Sequence, residues 1–229
     1  GYWNFNEGKG TTLTDYTANS NHGNINGATW SNEAPSITGS LVGGGDADYQ
    51  NNANELYTSW TGSDNLSGIS KYEYALGNTS GGTEITDWTN ASTNTSNIQK
   101  GLSLLDATMY YASVRATDKA GNTSAVKTGD GITIDLTAPK AGTANDGLGV
   151  DISYTGSSDS LSSNWTGFQD ATSGIIDYKY SVGTTSGGID IKDWTSNSTD
   201  TSITVSGLTL YNAQLYYLSI KASDLVGNI

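Results

Sequence analysis

The sequence of 229 residues has no cysteine, one histidine and only two prolines. Without cysteine there is no disulfide and no thiolate nucleophile, and one histidine is too few for a zinc site of the usual His/Cys type. The 10 Lys and Arg stand against 23 Asp and Glu, a formal charge of −13, which argues against nucleic-acid partners and anionic membrane surfaces. No apolar run approaches the roughly 18–20 residues of a membrane span, and no signal peptide is recognisable, so we expect no membrane insertion.

The usual core residues are also scarce, since Leu, Ile, Val and Phe together make up about 17% of the chain. The bulk of a core must therefore come from the 6 Trp and 14 Tyr. The chain starts at Gly1 rather than at a methionine, and we interpret it as a processed product or a window of a longer polypeptide. This composition favours a secreted or surface structural protein over an enzyme.

An internal repeat organises the chain. Segments of one copy recur about 105 residues later, with one residue inserted after the shared Trp. The matching segments are Trp60-Thr61-Gly62 with Trp165-Thr166-Gly167, Ser67-Gly68-Ile69 with Ser173-Gly174-Ile175, Asp87-Trp88-Thr89 with Asp193-Trp194-Thr195, and the run from Tyr110 to Ala116 with that from Tyr216 to Ala222. Both prolines, Pro35 and Pro139, follow an alanine and open a copy. A stiff Ala-Pro junction predicts domains at 1–33, 34–138 and 139–229.

Apolar side chains within a copy alternate with a period of two. Tyr72, Tyr74 and Leu76 are separated by polar or small residues, and so are Tyr110, Ala112, Val114 and Ala116. This period is typical of half-buried antiparallel strands, and turn signals such as Ser-Gly and Gly-Gly lie between the runs. The pattern predicts an all-β fold of two tandem sandwiches, each of the seven-strand type.

At these residues the chain resembles the fibronectin type III family of Ig-like sandwiches, and in particular tandem repeats of bacterial surface proteins. The resemblance implies that Trp60 lies on strand B, Tyr72 and Tyr74 on strand C, and Val114 on strand F, all of them in the core. Tyr110, six residues after Leu104, would form the tyrosine corner and hydrogen-bond to the preceding turn. In the second copy the same parts fall to Trp165, Tyr178, Tyr180, Ile220 and Tyr216.

The first 33 residues resemble a different family. The run from Gly1 to Asp15 and the run from Asn21 to Trp30 are similar to the opening of a laminin-G-like (concanavalin-like) jelly roll. A whole jelly roll is far longer, and its carbohydrate and calcium sites lie largely outside this span. The resemblance therefore implies a short, truncated β segment and transfers no binding residue.

The sequence offers little for catalysis, and we predict no catalytic and no cofactor-binding residue. His22, the single histidine, lies in an Asn- and Gly-rich turn without an evident nucleophile. Glu55, Glu73 and Glu84 fall on outward strand positions or turns, which suits solvation better than paired glycosidase carboxylates. Gly43-Gly44-Gly45 lacks the Lys-Ser/Thr of a phosphate-binding loop.

Two binding hypotheses remain open. Asp46, Asp48, Asp118 and Asp135 are candidate ligands of a structural calcium ion, although Asp118 with Gly121 and Asn122 equally suits a tight hairpin. Trp88 and Trp194 either cover the sandwich edge or form stacking platforms for sugars. The seven Asn-x-Ser/Thr sequons are close to the number that chance gives in such a sequence, so they do not establish glycosylation.

The ends of the chain carry our hypothesis on assembly. Copy one continues beyond Asn122 through an alternating segment to Asp135, a typical last strand, whereas copy two ends at Ile229, where that strand would begin. One hypothesis is that residues 1–33 of the next subunit pair with the incomplete second sandwich, so that an open head-to-tail filament grows by strand addition. The alternative is that the sequence is a window of a longer chain.

We therefore expect a non-enzymatic, extracellular structural or adhesive module that associates with itself. The rival hypothesis is a carbohydrate-binding or spacer module of a secreted polysaccharide-degrading enzyme, with a polysaccharide or a cell-surface molecule as its ligand.

Overall fold

All regular secondary structure in the described part of the chain is β-strand. The computed structural model describes residues 1–3, 11–26, 33–43 and 45–229. The predicted all-β class is confirmed. None of the described residues forms a helix that is long and apolar enough to cross a membrane.

The described chain forms two compact units. The first contains residues 1–48, 54–102 and 109–132, and the second contains residues 49–53, 103–108 and 133–229. The second unit thus combines the whole second repeat with short segments from the first half of the chain. The predicted domain limits at 33/34 and 138/139 stay predictions.

The described part of the head is a small two-stranded sheet in the first unit. Strand β1 (Thr12–Leu13) pairs with β2 (Gly23–Asn24) in antiparallel register, and the Tyr16 N–H donates to the Tyr2 carbonyl at 2.9 Å. Much of the β segment predicted for residues 1–33, namely residues 4–10 and 27–32, lies outside the described residues.

The remainder of the first unit is a sandwich of two antiparallel sheets. One sheet has the strand order β3-β5-β8, and in the other β9 and β7 flank β6, while β10 pairs with β9. The bounds of these strands are β3 Ser36–Val42, β5 Glu55–Ser63, β6 Ile69–Gly77, β7 Thr86–Ser92, β8 Ser96–Lys100, β9 Thr108–Asp118 and β10 Lys127–Thr128. Because alternate residues of a strand face opposite sides, the period-two runs place one apolar row of each strand in the interior.

An aromatic cluster forms the centre of this sandwich, as the sequence predicted. The Trp60 ring lies 5.9 Å from the Tyr72 ring and 6.0 Å from the Tyr74 ring, measured between centroids. Trp60, Tyr72, Tyr74 and Val114 are all buried. Their core roles are confirmed.

The second unit has its own sandwich and one additional strand pair. In the pair, β4 (Tyr49–Gln50) runs parallel to β11 (Ile132–Ile134). The two sheets of the sandwich have the strand orders β12-β13-β16 and β15-β14-β17. The bounds of these strands are β12 Thr143–Asp146, β13 Ser160–Thr166, β14 Ile175–Gly183, β15 Lys192–Ser196, β16 Ser202–Ser206 and β17 Tyr217–Asp224.

The core of the second sandwich is less complete than that of the first. Trp165, Tyr180 and Val182 are buried, but Tyr178 and Ile220 keep partial exposure. The prediction that these two side chains repeat the core roles of Tyr72 and Val114 is therefore only partly correct. Ile220 keeps partial exposure because no described strand pairs with the outer edge of β17 in the way that β10 pairs with β9.

Candidate functional site

Strand β17 is an edge strand of the second sandwich, since its described partner is β14 alone. Its counterpart in the first sandwich, β9, shows what such an edge accepts. There Lys127 of β10 lies opposite Val114, the Gly129 N–H donates to the Ala112 carbonyl at 3.0 Å, and the Ser124 N–H donates to the Ala116 carbonyl at 2.9 Å. The segment 124–129 therefore satisfies the outward backbone groups of β9.

In the second sandwich, β14 is the strand that pairs with β17 among the described residues. The residues equivalent to Ala112 and Ala116 are Leu218 and Ala222. In a strand, every second residue directs its N–H and C=O groups to the same edge. Leu218, Ile220 and Ala222 thus direct their backbone groups toward the open edge. Such an edge is a template for another strand.

Side-chain burial gives the same contrast. Ala112 and Val114 are 0% exposed, whereas their counterparts Leu218 and Ile220 are half-buried. The start of β17 is nevertheless fixed, because the Tyr216 hydroxyl accepts a hydrogen bond from the Tyr211 N–H at 2.7 Å. This contact confirms the bond to the preceding turn that was predicted for Tyr216. Among the described residues, the edge is therefore fixed at its start by this hydrogen bond and has no paired strand on its outer side.

The two candidate sugar-stacking tryptophans each carry a cation on one ring face. The Arg115 guanidinium lies 4.3 Å from the Trp88 ring centre, and Lys221 Nζ lies 4.4 Å from the Trp194 ring centre. Both rings are half-buried and lie on β7 and β15. One face of each ring is thus covered by a cation from the neighbouring part of the sheet, a contact that fits the edge-covering role.

The predicted Asp118 hairpin is present, and the second repeat contains the same hairpin. The Asp118 carboxylate accepts hydrogen bonds from the Asn122 backbone and side-chain amides, both at 2.8 Å. Asp224 and Asn228 form the same pair, at 2.9 and 2.7 Å. Gly121 and Gly227 provide the positive φ, 93° and 90°, that the turn requires. The predicted hairpin is thus formed at Asp118, and the calcium hypothesis for this residue stays a prediction.

Of the candidate calcium ligands, Asp135 is the one that lies in an acidic cluster. One carboxylate oxygen each of Asp135, Asp170 and Asp224 lie within 4.8 Å of one another. Asp46 and Asp48 are exposed and are not part of this group. Sequence reasoning missed Asp170 and Asp224, although both recur from the first repeat as the counterparts of Asp64 and Asp118.

The remaining candidate catalytic groups are dispersed and engaged in local contacts. His22 Nδ1 accepts a hydrogen bond from the Asp15 N–H at 3.1 Å. Glu55 pairs with Lys100 at 3.5 Å, and Glu73 pairs with Lys71 and Arg115. Hydrogen bonds to backbone amides and to the Thr79 hydroxyl lower the pKa of Glu84. The structure brings no two of these carboxylates together as a catalytic pair among the described residues.

The strand orders of both units are those of β-sandwiches of the fibronectin type III and immunoglobulin-like kind. No protein-family model matches the chain, and no curated protein matches its sequence. Among solved structures, the chain is similar to the chicken CNTN1 FN1-FN3 domains, with 16% identity and a TM-score of 0.40 over 94% of this chain and 72% of that chain. It is also similar to domains A168-A170 from titin, with 13% identity and a TM-score of 0.48 over 83% of this chain and 62% of that chain.

Proposed function

We propose that this chain is a non-enzymatic structural or adhesive module of an extracellular, bacterial surface protein. We further propose that its copies associate head to tail by strand addition at the open edge of β17. The observation that carries this proposal is the difference between β9, whose outer edge is covered by β10, and β17, whose described partner is β14 alone. The sandwich fold itself supports the structural or adhesive class.

The open edge has the physical properties of an acceptor. Leu218 and Ile220 are half-buried, and Tyr217 is 38% exposed, so an added strand would cover apolar area as well as backbone groups. In strand addition the backbone hydrogen bonds give affinity and the alternate side chains give specificity. The first sandwich shows the expected product, in which Val114 is fully buried.

The proposed donor is the head, residues 1–33, of a second copy. Its described sheet consists of two strands of two residues each, and an isolated two-stranded sheet is marginal in water. Pairing with β17 would stabilise it. A contact between the front of one copy and the rear of another uses two different surfaces, so it gives an open filament when the rotation does not close.

The test compares residues 1–229 with a variant that lacks residues 1–33. We expect polymers in light scattering and electron microscopy for the full chain and monomers for the truncated one. Adding the isolated head peptide should cap the truncated chain without polymerising it. Equal assembly of both chains would exclude the head as donor. Monomers in both cases would contradict assembly by strand addition and would favour pairing of β17 with a later segment of a longer polypeptide.

Two substitutions at one position test the edge itself. Ile220→Pro removes the outward N–H, which an edge strand tolerates, while Ile220→Ala removes similar side-chain packing and keeps the N–H. We expect Ile220→Pro to abolish assembly and Ile220→Ala to retain it, with folding of both followed by circular dichroism. Assembly of the proline variant at the level of the alanine variant would contradict strand addition.

The absence of catalysis is also part of the proposal. Its support is that Nδ1 of His22, the single histidine, accepts a hydrogen bond from the Asp15 N–H in the head. No hydrogen bond between His22 and a serine or threonine hydroxyl is seen among the described residues.

The rival function, carbohydrate binding, predicts retention on polysaccharide affinity gels and loss of retention in Trp88→Ala or Trp194→Ala. The structural or adhesive function that we propose predicts no retention.

A further inference from the structure

We propose that Asp135, Asp170 and Asp224 of the second unit bind one Ca²⁺ ion together with the hydroxyl of Ser173. This inference is independent of strand addition at β17. One oxygen of each carboxylate lies within 4.8 Å of the others. Two oxygens that each bind one Ca²⁺ at about 2.3–2.6 Å can lie at most about 5 Å apart, so the cluster has the span of a single ion.

Burial makes this cluster different from a solvated acidic patch. Asp135 and Asp224 are both 0% exposed. Carboxylate oxygens that converge in a buried place are the kind of ligand set that a hard divalent cation takes.

The hydrogen-bond donors around the cluster are uncharged amides. Asp135 accepts from the backbone of Thr137 and Ser173. Asp224 accepts from Val226 and Asn228. Asp170 Oδ1 accepts from three successive amides, those of Thr172, Ser173 and Gly174.

No lysine or arginine of the described residues forms an ion pair with these carboxylates. In the described part of the chain the ion pairs involve Glu55 and Glu73, and none involves the three aspartates. Three negative charges therefore share a small volume without a cationic side chain.

The Ser173 hydroxyl is the independent observation that points to a ligand. Its Oγ is buried and has no hydrogen-bond partner among the described residues, although the N–H of the same residue donates to both Asp135 Oδ2, at 3.1 Å, and Asp170 Oδ1, at 2.9 Å. A buried hydroxyl without a partner costs about 1–3 kcal/mol. Coordination of an ion by this oxygen would remove that cost.

Ser173 has an equivalent in the first repeat. Its counterpart, Ser67, donates to Asp64 Oδ1 at 3.4 Å. Burial tends to raise the pKa of Asp118, but hydrogen bonds from Asn122 and from the Ser67 hydroxyl lower it. Ser67 thus has an aspartate partner in the first repeat, whereas the Ser173 hydroxyl has no hydrogen-bond partner among the described residues.

The chemistry of the donors selects the ion. Carboxylates and a hydroxyl are hard oxygen ligands, which suit Ca²⁺ or Mg²⁺ and not zinc, for which histidine and cysteine are typical. Asp135, Asp170 and Ser173 lie outside the strands, and Asp224 is the last residue of β17. Ca²⁺ accepts such flexible geometry, whereas Mg²⁺ requires a near-ideal octahedron.

The first experiment is a calcium titration of the full chain, residues 1–229, after removal of metal ions. We expect one Ca²⁺ bound per chain with a Kd of about 10⁻⁴–10⁻³ M, the range of extracellular modules. The thermal midpoint of the second unit should rise by roughly 3–10 °C in about 10 mM Ca²⁺ relative to chelator. The same concentration of Mg²⁺ should have a smaller effect.

Matched variants identify the ligands. Asp170→Asn keeps an oxygen for the three amides and should lose calcium binding, while its stability in chelator stays equal or increases because a like charge is removed. Asp200→Asn, at an exposed position, changes the same charge and should bind normally. Ser173→Ala should weaken binding several-fold, and Ser67→Ala should not.

The proposal is wrong if the full chain shows neither calcium binding nor a calcium-dependent thermal shift. It is equally wrong if Asp170→Asn binds Ca²⁺ like the wild type, since the ion would then lie elsewhere.

Discussion

Arg115 lies over the face of Trp88, with its guanidinium 4.3 Å from the ring centre. The two residues are on β9 and β7, which flank β6. In the second sandwich Lys221 lies over Trp194 at 4.4 Å, so the cation recurs although its chemical type differs. Arg115 also binds Glu73 on the intervening strand at 3.0 Å, whereas Lys179 occupies the corresponding position of the second repeat.

The first prediction concerns the energy of this contact. A double-mutant cycle with Lys221→Ala and Trp194→Ala should give a coupling of about 0.5–1 kcal/mol in the free energy of unfolding, the range of partly exposed cation–π pairs. Denaturant unfolding of the wild type, both single variants and the double variant provides the measurement. Additive effects of the two single substitutions would show that the contact contributes nothing to stability.

The second prediction concerns acid. Burial of Glu73 by itself would raise its pKa, but the hydrogen bonds and charges of Arg115 and Lys71 outweigh burial, so the pKa lies below the ordinary value of 4.5. A folded-state pKa that is lowered contributes stability above the unfolded value. This contribution is lost as the pH falls through the folded-state pKa.

The stability difference between wild type and Glu73→Gln should therefore be largest above pH 4.5 and should shrink as the solution becomes more acidic. Denaturant unfolding at a series of pH values measures it. Glu55→Gln is the control, because the Glu55–Lys100 pair is exposed and such pairs contribute about 0–1 kcal/mol. A difference for Glu73→Gln that does not depend on pH would contradict the role of its ionised form.

Much of the fold was predictable from the sequence because its signals are local. The period of two in runs such as Tyr72 to Leu76 requires only that a strand has an inside and an outside. The repeat then transferred each assignment to the second copy. The transfer was only partly correct for Tyr178 and Ile220. The burial of Ile220 depends on a neighbouring strand as well as on its own segment.

The acidic cluster was less predictable because it is assembled from distant parts of the chain. Asp135 was a candidate on its own, but Asp170 and Asp224 are separated from it by 35 and 89 positions in the sequence. Sequence alone gives the recurrence of these aspartates in both repeats. It does not give the tertiary arrangement that brings the three carboxylates within 4.8 Å of one another.

The third prediction tests the aromatic core. Trp60 is 3% exposed, so Trp60→Ala should cost about 3–5 kcal/mol in the free energy of unfolding. Trp88→Ala, at a half-buried ring on a strand edge, should cost clearly less. Denaturant unfolding compares the two variants, and a loss below about 1 kcal/mol for Trp60→Ala would contradict its central position.

The last prediction concerns Asp15, which organises the described part of the head. Its Oδ1 accepts hydrogen bonds from the N–H groups of Tyr2 and Thr17, both at 2.9 Å, and from the Thr17 hydroxyl at 2.7 Å. Its Oδ2 accepts from the Asn21 N–H at 2.9 Å. The Thr17 hydroxyl bond, aided by the backbone bonds and opposed by burial, holds the pKa of Asp15 well below its ordinary value of 3.8.

Because that pKa is lowered in the folded state, the contribution of Asp15 is present above pH 3.8 and is lost only as the pH falls through the lower folded-state value. At about pH 3, where an ordinary Asp is largely protonated, the amides of Tyr2, Thr17 and Asn21 should still be protected from hydrogen exchange in the wild type. Asp15→Asn replaces one acceptor oxygen with a donor, so these amides should exchange faster. Asp46→Asn, at an exposed turn position, is the control and should leave them unchanged. Equal protection in Asp15→Asn and wild type would mean that the head is held together without this carboxylate.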